Sequence, residues 1–299
     1  MKYRYSKAVR DNDVLRQSFN ELTRQTFYFD FSDWYRKGHW GDMYIPHVLL
    51  DGDKVISNVS VNRMQFDVQG TEKNYIQLGT VMTDSAYRGQ GLNREIMEKI
   101  LDEYEGRADG IYLFGNDDVL DYYPKFGFSP LKEYEYYMRF ENLENISAYA
   151  AEKVDMKQDN QCEKLYDFIR KYPSDSKSLN QNDAMYMSRN IGLYQFWLDG
   201  EYGNQVYYLP ETEGYIVAEL KGNVLYIHQI FGKGQVDIAR TARAFGEEVI
   251  EVVLGFSPVH RENFLVREHK EEDCTLFVLG EDLNCIERDK MMFPVLSHA

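Results

Sequence analysis

Hydrophobic and polar positions change period several times over the first 140 residues, and each change predicts an element. The stretch 3–8 alternates and reads as a strand. Val14, Leu15, Phe19, Leu22 and Phe27 then recur near helical spacing, behind Asp11 or Asp13 as the opening residue of a helix. Apolar runs at 47–50, 55–68 and 75–83 predict three strands, the first two joined by the turn Asp51-Gly52-Asp53. Leu92, Ile96, Ile100 and Leu101 share one face of a helix over 92–104. A buried strand at 111–114, a second helix at 119–126 and a closing strand at 134–140 complete the unit.

Between 141 and 160 the chain turns polar and loses its period, as a linker or a short docking helix would. Residues 161–299 predict a helix at 162–171, a polar loop around 174–182 and a helical segment at 185–197. Strands follow at 205–209, 215–220 and 224–231, then a helix at 236–245 and strands at 249–254 and 275–279. The expected organisation is therefore a domain over 1–140, a linker over 141–160 and a second domain over 161–299. Hairpin, strand, glycine turn, helix and strand at 215–254 echo the order at 47–114, an internal repeat of the fold with little side-chain identity.

Composition narrows the chemistry. The 299 residues carry 34 Lys+Arg against 49 Asp+Glu, a net charge of −15, with 43% apolar and 15% aromatic residues. That apolar content builds a core and argues against disorder. The acidity argues against phosphate-backbone binding, and hence against nucleic acid as a partner. Cys162, Cys274 and Cys285 form no CxxC pair, which fits a reducing compartment rather than a disulfide framework. No secretory h-region and no apolar run of about 18 residues is present, so the expectation is a cytoplasmic chain without a membrane partner. The six histidines include no HxH or HxxxH pair, so no metal site is expected. In such a chain the sequons at Asn58 and Asn145 carry no meaning.

One segment, 81–100, combines a strand end with a glycine turn and a helix start. Gly89 and Gly91 in Arg88-Gly89-Gln90-Gly91 let the backbone take positive φ and come close to a ligand. The free N–H groups of the helix opening at Leu92 then face an anion, with Arg88 and Arg94 on either side, which reads as a pyrophosphate cradle. It is not the dinucleotide fingerprint, because the third glycine would fall at Arg94, and no GK[ST] of a P-loop follows. An ordinary glycine-rich strand–helix turn is the bland alternative.

A second segment, Asn116 followed by Tyr123, Lys125, Gly127 and Phe128, joins it in the expected order. Together the two resemble the GNAT superfamily of acyl-CoA N-acyltransferases, over about residues 1–140. That family carries R/Q-x-x-G-x-G/A at a strand-to-helix turn and Asn…Tyr-x-K-x-G-F further on. Arg88-Gly89-Gln90-Gly91-Leu92-Asn93 departs from the first pattern only at Asn93, where Gly or Ala is usual. That departure predicts one pyrophosphate contact that is tighter or displaced.

The resemblance implies an α/β (α+β) fold of two GNAT-like domains. Each would be a mixed, mostly antiparallel twisted sheet flanked by helices, with splayed central strands in the first. It implies acetyl-CoA as cosubstrate, lying in the splay against the backbone of Val81, Met82 and Thr83. Residues Arg88, Gly89, Gln90, Gly91, Leu92, Asn93 and Arg94 would hold the pyrophosphate, and Asn116 the pantetheine arm. Tyr123 would protonate the departing thiolate as general acid. A core tyrosine beside Tyr122 is its plain structural reading.

The general base is left open among Asp84, Asp30, His47 and a water chain, because Gln77 stands where several relatives carry a carboxylate. A further candidate is the carboxylate of Ala299. Some tandem members of the family, of the enhanced-intracellular-survival type that acetylates aminoglycosides, send their C-terminus into the first domain's active site. The apolar tail MMFPVLSHA suits that role. Asp30 and Trp34, in the aromatic loop 28–34, are candidates for holding a cationic amine, or else form a helix corner packed by aromatics. Tyr134, Tyr136 and Tyr137 would alternate across the closing strand, with at most one ring toward the site.

In the second half Gly232-Lys233-Gly234-Gln235 lacks the first motif's Arg or Gln, and no Tyr-x-K-x-G-F follows. That half reads as degenerate, leaving one CoA per chain. The expected activity is transfer of an acetyl group to a primary amine, on a small molecule or a peptide. Action on protein N-termini or lysines, and a non-catalytic CoA sensor or interaction module, are the alternatives. The oligomeric state stays open, a homodimer being one option.

Overall fold

The computed structural model describes residues 2–171, 182–232 and 234–299. The expected polar loop at 174–182, save Asn182, and Lys233 lie outside the described residues. Strands and helices are numbered in chain order. One sheet contains β1 (Arg4–Ser6), β2 (Tyr44–Asp51), β3 (Lys54–Val68), β4 (Thr71–Thr83), β5 (Gly110–Gly115) and β6 (Ser129–Leu131). The other contains β7 (Tyr134–Arg139), β8 (Glu152–Lys153), β10 (Val206–Leu209), β11 (Gly214–Lys221), β12 (Val224–Phe231), β13 (Glu251–Leu254) and β14 (Leu265–Glu268). β9 (Met185–Arg189) pairs with the outer end of β3, and β15 (Thr275–Leu279) enters the first sheet. Neighbours are antiparallel except β4 with β5 and β12 with β13.

The two sheets follow one plan and exchange a strand. In the first the order is β1-β2-β3-β4-β5-β15-β6, and in the second, from its other end, β8-β10-β11-β12-β13-β7-β14. The sixth place in each is filled by the other half of the chain. The expected boundary at 140 is corrected accordingly: the strand expected to close the first domain, β7, lies in the second sheet between β13 and β14. Tyr136 is buried in the second core rather than near the cleft. Residues 141–160 are no simple linker either, because they supply β8 and the first two residues of α4 (Asp159–Lys171).

β15 binds the first sheet on both sides of itself. Phe277 packs with Tyr123 and Phe128 under α3 (Leu92–Tyr104), whereas Leu276 and Val278 face the opposite core. That alternation is the pleat's period of two. A fragment of residues 1–140 would leave β5 and β6 without the strand between them. Burial of these three side chains contributes about 1.5–3 kcal/mol each, a large share of the roughly 5–15 kcal/mol that holds a domain. Such a fragment is expected to show no cooperative unfolding by circular dichroism; a sharp transition would refute the interdependence of the halves.

α1 (Asp13–Phe27) starts at Asn12, whose side chain accepts from Leu15 N at 3.1 Å, rather than at either expected aspartate. α2 (Ser32–Arg36) follows, and Phe19, Phe31, Trp34, Trp40 and Tyr44 form an aromatic core beneath the two. Two further expectations are corrected. The segment 119–126 is no α-helix but two 3-10 turns, Asp117–Val119 and Tyr123–Phe126, because Pro124 lacks a donor and Gly127 at φ 90° ends the second turn. The segment 185–197 is β9 and then α5 (Ile191–Asp199), separated by Asn190, which caps the helix by accepting from Leu193 N. α6 (Ile238–Phe245) crosses from β12 to β13, and α7 (Cys285–Arg288) precedes the tail. Among the described residues no helix is long and apolar enough to cross a membrane.

Candidate active site

The cleft begins where β4 and β5 part. They pair from Tyr75↔Gly110 to Leu78↔Leu113, and beyond that point no strand among the described residues lies on this side of β4. Opposite β3, the span from Gly79 to Met82 holds one more residue than the span Asn58–Ser60 that it faces, a β-bulge with Thr80 at φ 48°. A β-branched residue in that region is strained and needs support. The support is polar: Asn58 Nδ2 donates to Thr80 O at 2.7 Å, and the Tyr44 and Thr80 hydroxyls lie 2.7 Å apart. Asn58 is fully buried by this role. A glycine followed by a β-branched residue inside a strand pattern was the available sequence signal for the bulge.

A cavity of about 1300 Å³ fills the parting, lined on β4 by Gly79, Thr80, Val81, Met82 and Thr83 and on β5 by Phe114 and Gly115. Free backbone groups on this open edge can pair with an extended ligand as a further strand would. At one end lie Arg88, Gly89, Gly91, Leu92, Asn93 and Arg94. Gly89 and Gly91 take φ 75° and 76°, and Gly91 is the N-cap of α3 without any side-chain cap, so the first N–H groups of the helix stay available to an anion. Gln90 turns its side chain away, accepting from Lys2 and from Tyr3 OH. Asn93 turns its side chain inward. Its Oδ1 accepts from Ser57 Oγ and from Thr83 Oγ1 at 3.0 Å, which draws the side chain onto the sheet and away from the loop.

Tyr123 and Asn116 line the same cavity. Tyr123 is 4% exposed, its ring 5.4 Å from Phe277 and 6.1 Å from Phe128. Burial, reinforced by Tyr122, raises its hydroxyl pKa well above the ordinary tyrosine value, so the group keeps its proton throughout the neutral range.

The other end is aromatic and acidic. Asp30 and Trp34 both line it, yet both are engaged: Arg24 and Ser32 N donate to the Asp30 carboxylate, and Trp34 Nε1 donates to Gly192 O at 2.8 Å. Burial opposes ionisation of Asp30, but these hydrogen bonds outweigh it and hold the carboxyl below its usual range. Three residues that sequence reasoning did not single out complete this wall, Phe196, Trp197 and Glu201 from the second half, while Asp273, ahead of β15, lines the cavity where its carboxylate accepts from Asp117 N at 2.7 Å. Nothing in the local sequence of the first three marks them, because their place depends on how α5 docks. That docking needs Gly192, where a Cβ would lie 2.5 Å from His39 O.

Of the candidate bases, two lie outside the cavity. Asp84 is bound to Lys54 at 2.7 Å and caps a turn through Ala86 N. His47 is fully buried beside Tyr5 OH at 2.6 Å, and burial pushes its pKa down to about 4. Ala299 does line the cavity, against Gly79, where a Cβ would lie 2.6 Å from Ala299 O.

The corresponding parting in the second sheet is closed. β12 and β13 pair only from Val224↔Glu251 to Ile227↔Leu254, and Val295 of the tail then donates to Gly255 O at 2.9 Å. A Cβ at Gly255 would meet Val295 at 2.9 Å. The N-terminus of α6 is also taken, because Asp237 accepts from Ala239 N and Arg240 N. Among the described residues no group of three metal-ligating side chains gathers.

Comparison with known proteins agrees with this geometry. Residues 7–131 match the family model of the acetyltransferase (GNAT) domain. No curated protein matches the sequence. Among solved structures, a GCN5-related N-acetyltransferase from Kribbella flavida aligns at 12% identity and TM-score 0.56, covering 94% of this chain and 71% of its own. Another GCN5-related N-acetyltransferase, from Anabaena variabilis, aligns at 14% identity and TM-score 0.56, covering 92% and 72%. Eis1 from Mycobacterium abscessus aligns at 12% and 0.54, covering 92% and 72%. At these identities the structures show a shared fold over nearly the whole chain. Over residues 7–131, the chain is thus similar to the acetyltransferase (GNAT) domain in sequence and shares its fold.

Proposed function

We propose that the protein transfers the acetyl group of acetyl-CoA directly to a primary amine, with Tyr123 as general acid and the Ala299 carboxylate as general base. The observation that carries this reading is the single continuous cavity joining the uncapped start of α3, the open edge of β4, Tyr123 and Ala299. Pyrophosphate would lie on the N–H groups after Gly91, between Arg88 and Arg94, and pantetheine along Val81–Thr83 with Asn116 at its side. The amine would enter from the aromatic end, lose a proton to Ala299 and attack the thioester carbon. Collapse of the tetrahedral intermediate breaks the C–S bond, and Tyr123 protonates the leaving thiolate, whose pKa is about 8.5. No enzyme nucleophile is required, and Cys274 at the cavity wall suits none, since burial first and then Glu271 push its thiol up to about 12. Glu201, with no hydrogen-bond or ion-pair partner among the described residues, is suited to hold a cationic acceptor, with the rings of Phe196 and Trp197 also lining the cavity.

The test is a thiol-release screen with acetyl-CoA against polyamines, aminoglycosides, amino acids and short peptides. Acceptor-dependent release is expected; none with any amine would overturn the reading. Titration calorimetry is expected to give one CoA per chain, because the second parting holds the tail and α6 holds Asp237. Two equivalent sites would contradict that. Gly91→Ala tests the cradle, since nothing within 4 Å would touch the added Cβ and the cost is purely the left-handed backbone. A penalty of about 1–2 kcal/mol is expected to shift the unliganded loop out of that backbone, so that CoA binding, which must restore it, weakens roughly tenfold; unchanged affinity would refute the cradle.

A further inference from the structure

We propose that Gln77 is a positioning residue which, with Trp197 and the bare α-carbon of Gly79, fixes the last residues of the chain inside the cleft. This inference rests on the reading of Ala299 as general base.

Gln77 is 1% exposed, on the central strand β4 just before the parting. With its amide assigned from the hydrogen-bond network, Nε2 donates to Ser297 O at 2.9 Å and Oε1 accepts from Ala299 N at 2.8 Å. One side chain thus holds the tail's backbone at two points, as a neighbouring strand would. From the other side, Trp197 Nε1 donates to His298 O at 2.8 Å. The His298 ring stacks on Phe114 with centroids 4.0 Å apart. Gly79 supplies space: any Cβ there would lie 2.6 Å from Ala299 O and 3.0 Å from its carbonyl carbon. Three successive residues are therefore gripped by side chains from both halves of the chain.

A buried amide needs partners for its donor and its acceptor, and here the tail supplies both. Glutamine meets that need, whereas a carboxylate at 77 could not donate to Ser297 O and would repel the Ala299 carboxylate. A base displaced by about 1 Å loses on the order of 10²-fold in rate. An anchor serving stability alone would leave turnover at saturating substrate unchanged.

The experiment measures two things on Gln77→Leu and on Trp197→Phe in the full chain. One is kcat and KM for acetyl-CoA, with the best acceptor from the amine panel. The other is release of Ala299 and His298 by carboxypeptidase. For Gln77→Leu a fall in kcat of about 30–100-fold is expected, with KM for acetyl-CoA within about twofold and rapid release of the two residues. Trp197→Phe, which keeps an aromatic ring and loses one donor, is expected to show the same pattern at about fivefold. It also carries the test should Gln77→Leu fail to fold. Unchanged kcat with a still-protected tail would overturn the role of Gln77 and leave the Ala299 reading standing. Unchanged kcat with a released tail would overturn the Ala299 reading and this inference together. A fall in kcat with the tail still protected would overturn the positioning mechanism.

Discussion

Tyr123→Phe is expected to lower kcat by about 10²–10⁴-fold, the range of a lost general acid, while acetyl-CoA binds as before. The substitution removes one oxygen from a ring whose packing on Phe277 and Phe128 stays intact, so stability is not the quantity that changes. Without the hydroxyl, the thiolate must leave unprotonated into a buried site, where an uncompensated charge is costly. Stopped-flow thiol release and calorimetric CoA binding together check this. Wild-type kcat in the variant would remove Tyr123 from the mechanism. Loss of CoA binding in parallel would make it a packing residue instead. The raised pKa of Tyr123 also bears on pH dependence. The acidic form is the active one and persists beyond the ordinary value of about 10, so kcat is expected to show no falling alkaline limb from this group below that pH.

Deleting His298 and Ala299 is expected to cost about 10²-fold in kcat, the loss of a positioned base, with little change in KM for acetyl-CoA. The two residues contact Gln77, Gly79, Phe114 and Trp197 near the open edge of β4, whereas the loop from Arg88 to Arg94 belongs to the start of α3. Partial recovery on adding acetate or formate would mark the missing group as a carboxylate. Turnover equal to the full chain would end the Ala299 reading, and the amine would then need water alone to take its proton.

Much of the first half was legible because its signals are local. Arg88-Gly89-Gln90-Gly91 falls between a strand and an amphipathic helix, and both glycines take the left-handed backbone that their position suggested. Helix α3 matches its apolar face from Leu92 onward because apolar residues recurring at three- and four-residue spacing define that face within the segment itself. The short 3-10 turns around Tyr123 were misread as a helix, since Pro124 and Gly127 act on backbone donors rather than on apolar spacing. The strand β9 was misread for a different reason. Met185, Tyr186 and Met187 are buried on both faces, so no alternation remained to separate strand from helix.

What the sequence by itself determined was a mixed sheet, a glycine turn ahead of α3, and a tyrosine at a set distance after it. Tertiary structure alone decided which strand fills the sixth place of each sheet, which residues of α5 wall the aromatic end of the cleft, and where the tail comes to rest. Local periodicity specifies that β7 and β15 are strands and which of their faces is apolar, but not which edge they join, because backbone hydrogen bonding is the same at every edge. That choice is made by long-range packing, with Phe277 under α3 and Tyr136 in the second core. The same packing brings Gln77 and Ala299, 222 positions apart in the chain, into one site.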